Sequence, residues 1–476
     1  MKLQISTSNT YLPEKKYILD VLLKEFLGVD YEIVEKDSSQ LTITSQNASD
    51  NRKLIFHDGL FKTPDSDWLQ EVSLPTSPLP VWIPAKDNLH LEELPQSVPV
   101  IFGKPNQKGG FIKLTEKEIQ IGIDVFGSAF FMLTRYEELV MAERDSHDRF
   151  PMESSLAYRE RFTDIPIVNC YLELLWWALS KLWPELKRKG RKFQVLVSHD
   201  VDDLLEYAWQ PFPQFLRSLV VDVVKDRSIS NAANRAIVNT SSRLGMVKKG
   251  REFILQKDPF NNLGEIAGIN SKYGLSGCFN FLAGRTEVKY DGFYQLSWEW
   301  ILDILKNLNL KNQEIGIHPS YKTYKDPEQT KREIEALKNS CNLAGIQQAN
   351  RGGRQHYLRW SNPETWQNYE DVGLTYDSSI GFAERPGFRS GVCYEHPVFN
   401  LQTRKKLKLR ERPLLVMDAS VLDYMRGNWS QIKDEAIRFA DIVRKYHGDF
   451  TLLCHNSRLS KAETMVTYEE ILRSIC

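Results

Sequence analysis

Two aspartates stand one residue apart where an apolar run ends: FQVLV leads directly into Ser198, His199, Asp200, Val201, Asp202 and Asp203. If a strand continues through them, Asp200 and Asp202 share one face. One carboxylate could then hold a metal ion while the other accepts a proton. Asp203 would point elsewhere and suits the cap of a following helix. All three could equally be capping and loop carboxylates, and the D-x-D pattern alone does not decide. Further on, EIGIHPSYKTY puts His318 at the end of another apolar run, and LLCHNS does the same for His455. RQHYLRW adds Arg354, His356 and Arg359 after a third strand-like stretch. A lone histidine at a strand end is more often structural than a ligand. Three of them brought to one rim beside a carboxylate make the donor set that zinc or a similar divalent cation requires. NRGGRQ lacks the strand–loop–helix setting and the Lys-Ser/Thr of a phosphate loop, and no G-x-S-x-G elbow occurs. A metal-assisted site is therefore the leading enzymatic reading.

The elements that must position these groups follow a regular rhythm. FQVLVS, SGCFNFL, EIGIHP, LTYDSS, PLLVMDAS and FTLLCH are short apolar strands alternating with helix-like text. Such alternation predicts βα units with parallel strands, in an open sheet or a barrel, with the polar residues at the strand C-termini. Residues 204–262 interrupt the pattern with helical text and a charged middle, read as a helical insertion that could cover the site. Before this, residues 1–188 read as an α/β region, either one unit or two small ones divided near residue 100. EKKYILDVLLKEFLGV is an amphipathic helix, and DYEIVEKD, QLTITS and KLIFHDGLF are strands. The Pro-rich stretch 63–108 reads as a loop or boundary. GFIKLTEKEIQIGIDVFGSAFFMLTRYEEL is a strand pair and a helix, and PIVNCYLELLWWALSKLWPEL a further helix anchored by tryptophans.

Composition narrows the partners. The 476 residues carry 62 Lys and Arg against 62 Asp and Glu, which argues against a nucleic-acid or polyanion binder. No apolar run reaches the ~18 residues of a membrane span. The N-terminal residues show no signal-peptide pattern, so the expected compartment is the cytoplasm. The six cysteines lack any C-x-x-C, as expected of reduced, mostly buried thiols.

In order along the chain, these segments resemble the polysaccharide deacetylase superfamily, carbohydrate esterase family four and its relatives. SHDVDD is similar to the family's first motif, KYGLSGCFNFLAG to its second strand, and EIGIHPSY to the segment carrying the first histidine of an H-x-x-x-H pair. RQHYLRWSNPETWQNYEDVGLTYDSSIGF is similar to its arginine motif and Y-D-S-S strand, and LLCH to its late Leu-x-x-His element. The resemblance covers roughly residues 192–460. It implies a deformed (β/α) barrel of about seven strands over 189–476. It further implies a metal-dependent hydrolase that removes an acetyl or similar acyl group from a sugar or a surface-polysaccharide intermediate. Asp200 would be the base, Asp202 and His318 metal ligands, Arg354 the partner orienting Asp200, and His455 the acid. Tyr321, Tyr357 and Asp377 are the candidate sugar contacts. Trp360, Trp366 and Phe382 also suit sugar stacking, though core packing explains most such aromatics. The N-terminal region resembles a domain preceding some bacterial members and carries no assigned function.

One position departs from the family. Its second histidine, four residues after His318, is Lys322 here, and an ammonium does not ligate a metal. Three outcomes are open. His356, or failing it His199 or His396, supplies the missing ligand; the site holds its metal weakly with extra waters; or the metal is lost and the lysine's charge replaces it. The last outcome would leave a non-catalytic carbohydrate-binding or scaffold protein. A third possibility is a related hydrolase acting on a non-sugar amide.

Overall fold

A computed structural model of the chain describes residues 2–36, 40–47, 49–107 and 109–476. Asp37, which ends one expected strand, and Lys108, which ends the Pro-rich stretch, lie outside the described residues. Two sheets organise the molecule. The first has six strands: β1 (Leu3–Thr7), β2 (Tyr31–Glu35), β3 (Leu41–Ser45), β4 (Lys53–Phe56), β7 (Ile112–Leu114) and β8 (Glu118–Ile121), in the order β2-β1-β3-β4-β8-β7. β5 (Val81–Trp82) and β6 (Val98–Pro99) form a separate antiparallel pair within the Pro-rich stretch. The first strand, LQIST, is almost wholly buried and stands outside the expected elements.

The second sheet holds the residues singled out above. It comprises β9 (Gln194–Val201), β10 (Cys278–Leu282), β11 (Glu314–His318), β12 (Gly352–Gly353), β13 (Tyr376–Asp377), β14 (His396–Asn400), β15 (Lys405–Glu411), β16 (Val416–Met417) and β17 (Asp449–Leu453), in the order β14-β15-β13-β12-β11-β10-β9-β17-β16. All neighbouring pairs are parallel except β14 with β15. β9 to β11 are near-continuous apolar runs because parallel strands are covered on both faces. The expected closed ring of about seven strands is not completed by strand pairing among the described residues. Instead, residues 412–415 carry the chain from the β13 side of the sheet to the β17 side. There the Arg412 amide donates to Asp377 O (2.8 Å), the Leu414 amide to Ile380 O (2.9 Å) and the Leu415 amide to Thr451 Oγ1 (2.9 Å).

Register places the chemistry. Asp200 lies opposite Asn280, which lies opposite Gly316. A side chain at 316 would sit 2.1 Å from Asn280 Oδ1, so the glycine of EIGIH leaves room for the amide that braces Asp200. The two sheets share one continuous apolar core. Helix Leu12–Leu19, continuing through Asp20–Leu27, packs against helix Val125–Leu133 and β15, and helix Ile167–Leu182 packs on β4 and β8. Truncating a fully buried side chain such as Leu174 or Leu179 there would cost about 2–5 kcal/mol. Polar ties cross the same seam: Tyr17 OH donates to Pro397 O (2.7 Å), and Asn362 Nδ2 to the carbonyls of Thr134 (2.8 Å) and Arg135 (2.9 Å). Between β9 and β10 the chain forms helices Phe212–Val220, Ile229–Arg243, Glu252–Leu255 and Leu263–Lys272. Among the described residues, no helix is long and apolar enough to cross a membrane.

A candidate metal and acid–base site

At the C-terminal ends of β9, β11, β12, β16 and β17 a cavity of about 400 Å³ is lined by Asp200, Asp202, His318, His356 and His455. Strand direction is the reason: in parallel βα units the residues that follow each strand meet on one rim. Asp200 is buried, and its Oδ1 accepts from Arg354 Nη1 (2.8 Å) and Asn280 Nδ2 (2.8 Å). Oδ2 is left facing His318 Nε2 at 3.9 Å. Burial works to raise this carboxyl, but the Arg354 guanidinium, then His318 and His455, more than offset it and hold it below the usual carboxylate range. Arg354 is itself fixed, donating from Nε and Nη2 to Ser378 O (2.9 Å) and Oγ (3.0 Å).

Asp202, His318 and His356 form one group whose candidate ligand atoms all lie within 4.8 Å of one another. His318 Nε2 is 3.2 Å from Asp202 Oδ1, and His356 Nε2 is 3.6 Å from the same oxygen. The other ring nitrogens are committed. His318 Nδ1 donates to Arg354 O (2.6 Å) and His356 Nδ1 to Asp291 Oδ1 (2.8 Å), a carboxylate wholly shielded from solvent. Fixed tautomers of this kind leave both Nε2 lone pairs aimed inward, which is how histidine ligands to metals are oriented. Asp202 Oδ1 is buried with no hydrogen-bond donor. Three electron-pair donors converging without a proton between them is unfavourable unless a cation sits there or a ring is protonated. Burial pulls the His318 imidazole down, but Asp200 and Asp202 raise it above its ordinary value, so the pocket favours positive charge in either form. One carboxylate oxygen and two imidazoles fit a divalent cation such as zinc.

On the opposite wall His455 donates from Nδ1 to Asp418 Oδ1 (2.6 Å), and its amide donates to Asp418 Oδ2 (2.7 Å). Burial opposes protonation of this ring, but the enclosed Asp418 outweighs it and the pKa is pushed up to about 10. His455 Nε2 lies 3.9 Å from Asp202 Oδ2, so a cationic N–H faces the cavity.

Several expected roles change with the geometry. Lys322 does not occupy the site: its side chain is 59% exposed and pairs with Glu287 at 2.8 Å. His356, delivered from the end of β12, stands at the group instead. His199 and His396 are fully buried elsewhere, donating from Nδ1 to the carbonyls of Cys454 (2.8 Å) and Tyr394 (3.2 Å). Tyr357 lines the cavity, whereas Tyr321 does not. The Tyr321 ring is stacked under Arg359, whose carbon lies 4.0 Å from its centroid, and its hydroxyl meets His147 Nδ1 at 2.9 Å. Asp377 is fully buried and does not line the cavity, accepting from the Ser379 amide (3.0 Å) and hydroxyl (2.5 Å). Trp360, Trp366 and Phe382 are core residues. Asp203 caps no helix, since the next begins at Phe212; its carboxylate lies against the Gly292 segment instead.

Sequence reasoning missed three participants. Asp291, in the loop after β10, orients His356 and accepts the Tyr321 amide (2.8 Å). Gly292 beside it lets that loop lie on the Asp202 backbone, where a Cβ would come within 1.9 Å of Asp202 O. Asp418 follows β16, and its position at a strand end was a usable signal. Arg149 comes from the N-terminal region, lines the cavity, and donates to Tyr357 O (3.1 Å) and Tyr424 OH (3.0 Å). Tyr357 and Leu358 both hold left-handed backbone (φ 61° and 53°), a local cost of order 1–3 kcal/mol each of the kind found at functional sites.

A family model described as a family of unknown function, DUF7033, matches residues 3–184. No curated protein matches the chain. Among solved structures, the chain is similar to a "putative polysaccharide deacetylase from Mycobacterium smegmatis" at 14% identity, covering 60% of this chain and 85% of that one with a TM-score of 0.38. It is also similar to a mutant of BA3943, a CE4 family pseudoenzyme (12% identity, 60% and 62% coverage, TM-score 0.30). A third similar structure is Puue allantoinase (12% identity, 59% and 83% coverage, TM-score 0.33).

Proposed function

We propose that this chain is a metal-dependent hydrolase that removes an acetyl or related acyl group from a sugar or a polysaccharide intermediate. The parallel sheet is read as a deformed barrel bridged by residues 412–415. The observation that carries the proposal is the convergence of two inward-facing imidazole nitrogens on the unpartnered Asp202 oxygen, with an ionised Asp200 on one side and a cationic His455 on the other. A divalent cation held by Asp202, His318 and His356, zinc by its donor set, would supply the Lewis acidity that polarises an acyl carbonyl.

The chain's own residues supply the proton chemistry. Asp200 Oδ1 is saturated by Arg354 and Asn280, so Oδ2 is the atom left to take a proton from the attacking water. As the water oxygen bonds to the acyl carbon, the bond to the sugar nitrogen or oxygen breaks. His455 Nε2 returns a proton to that departing atom, and Asp418 stabilises the charged ring until it does so. Tyr357 and Tyr424 offer ring faces at the mouth for a pyranose, and Arg149 fixes both. The N-terminal region thereby builds part of the cavity wall.

The test measures bound metal in the purified protein and release of acetate from N- and O-acetylated sugars with and without a chelator. Wild type should carry about one divalent ion per chain and lose activity on chelation, and Asp202→Ala should lose both. A metal-free protein indifferent to chelator and to Asp202→Ala would sink the proposal and leave a carbohydrate-binding role.

A further inference from the structure

The helical segment between β9 and β10 is amphipathic in the wrong sense for a domain surface. Helix Phe212–Val220 buries none of its residues, and it continues through Val221–Lys225. Phe212, Leu216, Val220, Val223 and Val224 recur at the spacing of one helical face and are 46–71% exposed. The side that holds the helix to the protein carries half-buried Phe215 and Leu219 and a polar tie: buried Asp222 pairs with Arg235 of the following helix at 2.6 Å, and Arg235 also reaches Glu206 at 3.2 Å. An apolar stripe left to solvent on a helix that is tied down by its other side marks a surface that something else covers.

Charge around the stripe indicates what covers it. The whole chain has equal numbers of acidic and basic residues. Between residues 210 and 260, seven Lys and Arg are exposed against two exposed acids, Asp226 and Glu252. Lys225 and Arg227 follow directly on the stripe, and Lys248, Lys249 and Arg251 lie on the same insertion. We propose that this insertion docks the protein on an anionic phospholipid surface, with the apolar stripe in the interfacial layer and the cations against the headgroups. Apolar face and basic surroundings together are the composition of an in-plane membrane helix. The helix is far short of the ~20 residues of a span. The inference does not depend on the hydrolytic reading, because an inactive chain would bind in the same way.

The test is co-sedimentation of the full chain with vesicles of phosphatidylcholine alone and of an equimolar mixture with phosphatidylglycerol. The protein should sediment with the mixed vesicles and about tenfold or more less with neutral vesicles or in high salt. Leu216→Asp/Val220→Asp should lose about tenfold or more of the binding while melting at an unchanged temperature, since both residues are exposed. Lys248→Glu/Lys249→Glu, which leaves the helix intact, should lose about fivefold or more. Three results would overturn the proposal: no sedimentation with anionic vesicles, binding unaffected by both variants, or a wild-type dimer that Leu216→Asp/Val220→Asp dissociates. The last would make the stripe an interface between copies.

Discussion

Asp200 on β9 and Asp377 on β13 occupy similar places: each sits at the C-terminal end of a parallel strand, and each is buried. Arg354 lies near both, yet their pKa values move in opposite directions. Its Nη1 bonds Asp200 directly, while its Nε and Nη2 are spent on Ser378, and Asp200 stays ionised. Asp377 has only Ser379 as donor, and its Oδ2 has no partner. Burial raises the Asp377 pKa to about 6. Glu411, its cross-strand neighbour, is raised further by burial and by Asp377 itself. A buried carboxylate in this sheet is thus held below or above its ordinary pKa according to the cations set against it. Asp200 lines the cavity, whereas Asp377 and Glu411 do not.

The largest expected break in this contrast comes from Asp200→Asn. The amide still accepts from Arg354, so the melting temperature should change little while acyl hydrolysis falls by about a thousandfold. Equal losses of activity and of folded protein would show Asp200 to be structural, like Asp377. Next in size is Asp291→Asn, which leaves the three donors in place but loosens His356. Affinity for the divalent ion, followed by titration against a competing chelator, should weaken about ten- to a hundredfold.

A smaller effect concerns Asp377 and is read in stability alone. The Asp377 pKa is higher in the folded chain than the ~3.9 of an unfolded aspartate, so the native state binds more protons between about pH 4 and 6. Stability should therefore fall as pH rises through that window and level off above it. Asp377→Asn should remove this contribution and stabilise the protein at pH 7 by about 1–3 kcal/mol, measured by denaturant unfolding. An unchanged pH profile would show that folding does not raise the Asp377 pKa. The smallest effect belongs to Lys322→Ala. With its ammonium in solvent on Glu287, metal content and activity should match wild type; a loss of either would return Lys322 to the site.

Much of the second sheet was legible because each of its main strands is an apolar run ending in polar residues. FQVLVS, SGCFNFL, EIGIHP, LTYDSS, PLLVMDAS and FTLLCH correspond to β9, β10, β11, β13, β16 and β17. The antiparallel β14–β15 ribbon escaped notice, since LKLRE alternates polar and apolar residues around charged ones. The two-residue strand β12 is too short to carry a period. In the N-terminal region the long helices and β2, β3, β4, β7 and β8 were legible, while β1, the β5–β6 pair in the Pro-rich stretch and the short helix Leu156–Arg159 were not.

By itself the sequence determined which side chains stand at strand ends: Asp200 and His318 lie in the last two residues of their strands, Asp202 and His455 just beyond theirs, and any parallel arrangement must deliver them to one rim. Tertiary structure alone decided the rest. Asp291 reaches His356 across 65 residues, and Arg149 reaches Tyr357 across 208; no local pattern encodes contacts of that range. It also decided that Lys322 turns to solvent while Tyr321 and Asp377 are buried and do not line the cavity. Side-chain direction after a strand depends on which loops pack against it, and those loops are supplied by distant parts of the chain.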